Sequence, residues 1–231
     1  GGTVASLINV IQEAAGDPAL RKELVNPYFL APQNHTFTTR QHYVKSAEFD
    51  SDFDAWIAPF VMSAVNERVV HRSNALANNA YGANFSYNEA ILTGSGWNGR
   101  VKAYTLVAGL GAFMLAALTK PVSKVMERYI LPKPGEGPTP EQQRSGRFDL
   151  RFIGKSDAGQ SLRVKVTGDR DPGYGSTGKM LGQAALSLVL DHQKDGKKTD
   201  RNGGFWTPAT MFDERYIERL KQHAGIGFEV I

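Results

Sequence analysis

The sequence predicts an α+β fold, a mainly antiparallel mixed sheet covered by helices, and three patterns carry that prediction. Phe148, Leu150 and Phe152 alternate with polar neighbours, as do Leu162, Val164 and Val166, and a short glycine-containing connection joins the two runs. Alternation at period 2 across such a turn is a β-hairpin. Apolar residues at helical spacing recur elsewhere, and Tyr104–Leu118 (YTLVAGLGAFMLAAL) is apolar almost without interruption. Helices and an antiparallel sheet in one chain give an α+β domain.

The elements follow in order. Val4, Leu7, Ile8 and Ile11 lie at helical spacing and Gly16 closes that helix. Asp17 then caps a short second helix with Pro18 in its first turn. Residues 26–50 are irregular and aromatic, with Pro27 and Pro32 as breakers. A helical pattern runs from Ala58 to about Ala77, and Asn84–Thr93 reads as a strand ending in glycines. Fifteen residues, Tyr104–Leu118, fall short of the roughly 20 that span a bilayer as a helix. Two readings stand: a helix buried on most sides, or a contact with a membrane surface or lipid-like substrate, with Arg100, Lys102, Lys120 and Lys124 on its flanks. After a second helical pattern to Ile130, residues 131–140 are a Pro/Gly linker loop. The hairpin is followed by a helix over about Ser176–His192, a Lys/Asp/Gly-rich loop, a helix over Asp213–His223 and a strand over Ile226–Ile231. The whole of 1–231 reads as one domain, with 1–30 a helical connection from a preceding one.

Composition narrows the function. The chain has 231 residues, a formal net charge of +4 and no cysteine. That excludes thiol chemistry and is compatible with a reducing cytoplasm. The basic run Lys194–Arg201 also carries two aspartates, so it reads as a solvated loop, not a nucleic-acid face. The five histidines show neither an H-x-x-x-H nor a carboxylate-paired spacing, so no metal site is expected. The chain begins GGTVAS, without an initiating Met or a signal pattern, and so reads as processed or cut from something longer.

Gly173–Met180 (GYGSTGKM) has P-loop spacing except that Met180 stands where a magnesium-binding hydroxyl belongs. The strand before it is the second arm of a hairpin, with Arg163 and Lys165 on one face, whereas a P-loop follows a buried parallel strand. The stretch therefore reads as a glycine turn opening a helix. Ser176 or Thr177 would cap it, and with Lys179 nearby its start could receive an anion or cofactor group. Gly94–Gly99 (GSGWNG) has dinucleotide-fingerprint letters but follows an antiparallel-looking strand. Gly203–Ala209 (GGFWTPA) is either a tight turn around a buried Trp206 or a loop at a ligand cleft.

Ala58–Asn66 (APFVMSAVN) with Val69–Leu76 (VVHRSNAL), then Phe85–Ala90 (FSYNEA), Asp171–Thr177 (DPGYGST) and Gly203–Ala209 come in collinear order. Together they resemble the C-terminal part of saccharopine dehydrogenase-like oxidoreductases, a family that includes trans-acting enoyl reductases of bacterial lipid synthesis. The resemblance implies a substrate-side and association domain of a two-domain dehydrogenase. It also implies an N-terminal Rossmann domain, outside this chain, that binds NAD(P). On this reading Tyr174 and Lys179 are the candidate catalytic residues, able to move protons or balance charge. Ser176, Thr177, Trp206 and Thr207 would line the cleft for substrate or cofactor. The substrate is a small or lipid-like molecule. The alternative is a non-catalytic, membrane-surface or lipid-associated scaffold, and an exposed sheet face could pair two chains as a homodimer.

Overall fold

The computed structural model describes residues 2–129, 135–191 and 203–231. The basic run Lys194–Arg201, residues 131–134 of the expected linker, and Ile130 and His192, the expected ends of two helices, lie outside the described residues. The fold is α+β, and among the described residues the strands form two three-stranded antiparallel sheets. The chain forms two compact units, Gly1–Gly137 and Pro138–Ile231, each described below by itself.

In the first unit, helices α1 (Gly2–Gly16) and α2 (Pro18–Leu24) meet at Asp17, whose carboxylate accepts the N–H groups of Ala19 and Leu20. Strands β1 (Glu48–Asp50), β2 (Ala55–Pro59) and β3 (Ala90–Gly94) form a sheet in that order. Between β2 and β3 comes α3 (Ser63–Leu76), and after β3 come α4 (Gly96–Leu118) and α5 (Lys120–Tyr129). The sheet meets α4 through small side chains: Ala47, Ala58 and Ala103 are buried together, with Trp56 and Val107 packed around them. Alanines at the contact bring helix and strand close. At the far end of α4, the Gln12 side chain of α1 donates to the Ala117 carbonyl at 3.2 Å and to the Ser123 hydroxyl at 3.1 Å.

Two expectations change here. Ala58 and Pro59 belong to β2, not to the following helix, which starts at Ser63. Proline lacks an N–H and fits a strand end, where no ladder bond is lost. The expected strand over 84–93 pairs only from Ala90; before that the chain is extended and Gln41 stands in for a partner strand. Its side-chain nitrogen donates to the Phe85 carbonyl at 3.2 Å, and its oxygen accepts from the Tyr87 N–H at 3.0 Å.

The apolar stretch belongs to a 23-residue helix, and most of it is uncovered: 11% of its most apolar window is buried. By length and composition α4 could cross a membrane. The expectation of a helix buried on most sides therefore fails, because only the face carrying Gly99, Ala103 and Ala117 meets protein closely.

The second unit opens with α6 (Pro140–Ser145), whose Thr139 and Gln142 form a reciprocal cap. Strands β4 (Phe148–Lys155) and β5 (Ser161–Gly168) are the predicted hairpin, in unbroken register from Phe148 opposite Gly168 to Lys155 opposite Ser161. Helices α7 (Gly175–Leu190), α8 (Pro208–Met211) and α9 (Glu214–Arg219) follow, then a π-helical turn, Leu220–Ala224, and β6 (Ile226–Val230), which pairs with β5. Leu220, Ala224 and Ile226 are the core, packed with Phe148, Val166, Met180, Tyr216 and Phe228. The alternation continues along the same sheet face to Leu150, Phe152, Leu162 and Val230, which are exposed.

Candidate functional site

The turn from β5 into α7 holds four of the residues singled out from sequence. Asp171 sits at its centre: its carboxylate accepts the Tyr174 N–H at 2.7 Å and the Gly175 N–H at 3.4 Å. The Tyr174 hydrogen bond leads the causes that hold this carboxyl below the usual range, with Gly175 and Gly173 adding to it. The start of α7 therefore faces a carboxylate of its own chain. Ser176 is fully buried and its hydroxyl donates to the Arg170 carbonyl at 3.1 Å, while the Thr177 hydroxyl donates to the Pro172 carbonyl at 2.6 Å. An anion at this turn would meet neither a free hydroxyl nor an open helix start. Lys179 bonds both Asp169 oxygens at 3.2 Å and the Ala224 carbonyl at 3.4 Å, tying α7 to the chain before β6. Tyr174 differs from the other three, with its side chain half exposed at the surface. Trp206 and Thr207 lie on the second turn, before α8. Thr207 is buried and shares a 3.0 Å hydroxyl contact with Thr210, so it serves the helix start, whereas Trp206 is 37% exposed.

The second glycine turn, Gly94–Gly99, joins β3 to α4 with positive φ at Gly94 (102°) and Gly96 (62°). Its strand is the edge of an antiparallel sheet, so this turn does not open a βαβ unit and does not fit a dinucleotide as that fingerprint does.

A different group of residues, missed from sequence, has the chemistry most out of the ordinary. Helix α3 turns Glu67, His71 and Asn74 inward at four- and three-residue spacing, each 1% exposed. Asn74 is satisfied: its amide donates to the Gly82 carbonyl and accepts the Tyr81 N–H, both at 2.9 Å. Glu67 is not. The Glu89 N–H bonds its carboxyl, Oε2 has no partner among the described residues, and the neighbouring Arg68 reaches instead to the carbonyls of Leu24 and Asn26. Burial pushes the Glu67 carboxyl up to about 7, with the Glu89 charge adding to the rise. His71 packs edge-on against Tyr28 at 4.9 Å with Nε2 unpartnered, and burial lowers its pKa, favouring the neutral ring. Around them the Tyr87 hydroxyl donates to Glu89 and the Asn66 amide donates to the other Glu89 oxygen, both at 2.8 Å. Burial and the Glu89 hydrogen bond raise the Tyr87 phenol. The cluster can hold or give up a proton near neutral pH. With Glu67 shut from solvent, it meets no substrate in this conformation. The expectation that no histidine has a carboxylate at pairing distance in sequence is thus corrected, since Glu67 precedes His71 by one helical turn. A search for Glu-x-x-x-His would have found the pair.

Comparison with known proteins bears on the class. No protein-family profile and no solved structure matches the chain. It is similar, at 30% identity over 99% of its length, to a Mycobacterium tuberculosis protein named as a trans-acting enoyl reductase. Trans-acting enoyl reductases of Mycobacterium bovis and Mycobacterium ulcerans are 28% and 27% identical over 95% and 96% of the chain. The chain spans about half the length of these relatives, 53–55%. These likenesses support a partial, oxidoreductase-type domain.

Proposed function

We propose that the chain is the C-terminal, substrate-side domain of a cytoplasmic, NAD(P)-dependent oxidoreductase of the saccharopine dehydrogenase-like kind, reducing a lipid-like enoyl substrate. The observation that carries this reading is the collinear likeness to enoyl reductases over almost the whole chain, at half their length. The other half of the longer protein would then hold the nucleotide. In an enoyl reduction the π bond breaks, a hydride from the reduced nicotinamide forms one C–H bond, and a proton forms the other on the neighbouring carbon. This domain would contribute the surface that orients the acyl chain and the group that delivers the proton. Tyr174 is the candidate for delivery, because its side chain is exposed while Ser176, Thr177 and Lys179 are committed to the turn's own bonds. The surrounding Asp171 turn holds the Tyr174 backbone in place.

The test uses the protein at its full natural length, with reduced nicotinamide cofactor and an α,β-unsaturated acyl thioester. Oxidation of the cofactor in step with substrate is expected. Tyr174→Phe should lower kcat by about 10²-fold, the lower range for a lost general acid, with cofactor affinity unchanged. Unchanged turnover in that variant would remove Tyr174 from the mechanism. Failure to bind either nicotinamide cofactor would overturn the oxidoreductase reading and leave a scaffold.

A further inference from the structure

One face of α4 is packed on the sheet, and another side carries a ridge that no described residue of the unit covers. Trp97, Val101, Tyr104, Leu115 and Leu118 lie along it at alternating four- and three-residue steps, with Ala108 and Gly111 filling the middle positions. Trp97 is 71% exposed and Leu115 70%, so the ridge is open from end to end, over about 30 Å at the helical rise. Helix α5 also exposes Val125 and Tyr129. An apolar strip of this length needs an occupant.

Charge selects among the occupants. Helix α4 contains no Asp or Glu, and carries Arg100 and Lys102 near its start. Arg100 is held beside the ridge, its guanidinium 5.3 Å from the Trp56 ring centre, 5.7 Å from Trp97 and 5.8 Å from Tyr104. At the other end α5 exposes Lys124 and Arg128. A second copy is disfavoured in both orientations. Parallel pairing sets each basic start against itself, and antiparallel pairing sets it against the other copy's basic end. A partner with an apolar interior and an anionic rim suits the whole strip. Trp97, Tyr104 and Tyr129 are also the amphipathic aromatics that sit at the boundary between lipid headgroups and acyl chains. Because Ala103 and Ala117 are fully buried against the unit, α4 cannot be surrounded by lipid on all sides. With its apolar ridge on one side and the unit packed on another, it suits lying along a surface.

The geometry points to a docking surface for an anionic lipid bilayer, formed by the exposed ridge of α4 together with Val125 and Tyr129 of α5, with Arg100, Lys124 and Arg128 meeting the headgroups. This inference is independent of the oxidoreductase reading. Flotation of the full-length protein with vesicles of phosphatidylcholine alone, or mixed with phosphatidylglycerol, tests it. Binding to the mixed vesicles is expected, weakening as salt rises because the headgroup attraction is screened. Leu115→Asp and Trp97→Asp should each reduce it by about tenfold or more. Both side chains are exposed, so circular dichroism and melting should match the parent protein. No binding to either vesicle, or equal binding to both, would overturn the inference. So would a concentration-dependent dimer in sedimentation that Leu115→Asp dissolves, which would assign the ridge to a second copy.

Discussion

Glu67 and His71 stand one turn apart on the inward face of α3, each 1% exposed and each with one side-chain atom unpartnered. The two shift in opposite directions. Glu67 rises from 4.5 to about 7, so the folded state binds its proton where the unfolded chain has released it. Its contribution to stability therefore falls as pH rises from 4.5 to about 7 and stays low above that. His71 is lowered from 6.5, so the unfolded chain binds a proton that the folded one refuses. Its contribution falls as pH drops below 6.5. Across pH 5–6.5 the slopes oppose each other. Glu67→Gln should abolish the alkaline loss, making the protein more stable than its parent at pH 8 by about 3 kcal/mol, and should expose the His71 slope below pH 6.5. Urea unfolding at pH 5, 6, 7 and 8 reads both. A Glu67→Gln variant with the parent's pH profile would show that the carboxyl is ionised and accommodated.

This cluster also marks the limit of what the chain's pattern discloses. The hairpin was legible because Phe148–Phe152 and Leu162–Val166 alternate on a face that must meet a core. Helix α7 was legible from its glycine turn and apolar run. The α3 face was not, because Glu, His and Asn at a helical period read as solvated, and here tertiary packing buries them. Strand β2 was hidden because Ala58 and Val61 also suit a helix, and only Pro59 and the pairing with β3 decide between them. The apolarity of α4 was plain, but its exposed side depends on which residues the alanines of the sheet accept. At the α7 turn the expected cap, Ser176 or Thr177, is overturned: the helix starts at Gly175, and both hydroxyls donate to carbonyls before it instead of accepting its N–H groups. Asp171, which occupies that start, went unremarked.

Asp191 and Arg219 close the second unit with a two-point ion pair, Nε to Oδ2 at 2.5 Å and Nη2 to Oδ1 at 2.8 Å. A carboxylate at the C-terminal end of α7 opposes the helix dipole, and Arg219 compensates, while Arg215 bonds the Asp191 carbonyl at 2.9 Å. The Arg219 hydrogen bonds hold Asp191 at about 2. Arg219→Met should cost about 2 kcal/mol near neutral pH, the value of charged hydrogen bonds lost at a partly buried site. A depressed carboxyl stabilises above its unfolded pKa of 3.8, and the gain is lost as pH falls through about 2. The gap between parent and variant should therefore hold from pH 5 to 8 and narrow below pH 4. A constant gap down to pH 2 would refute the assignment.

Gly99 and Gly111 lie in the same helix and should respond oppositely to alanine. A Cβ at Gly99 would stand 1.9 Å from the Gly94 carbonyl oxygen, so the turn between β3 and α4 must move. The cost should be about 3 kcal/mol or more, the upper end for overpacking. At Gly111 nothing lies within 4 Å of the added atom. Gly111→Ala should stabilise by up to about 1 kcal/mol, the gain of alanine over glycine inside a helix. Thermal melts of the two variants check the pair. Equal effects would mean that the Gly94–Gly99 turn relaxes freely.

Lys179 allows a structural role to be separated from a chemical one. Its ammonium bonds Asp169 and the Ala224 carbonyl, and Gly225, next in the chain, has a φ of 70° and packs its backbone against the same aspartate. The ion pair is 30% exposed at the lysine and 45% at the aspartate, so solvent weakens it. Lys179→Met should cost about 1 kcal/mol or less, in the range of exposed pairs. The proposed enoyl reduction, measured on the full-length protein, should stay within about twofold of the parent, because a committed ammonium transfers no proton to substrate. A melt close to the parent's with turnover reduced about 10²-fold would instead assign Lys179 a part in the chemistry. Tyr174 would then share the proton's path with it, since Tyr174 immediately precedes α7 and Lys179 lies in its second turn.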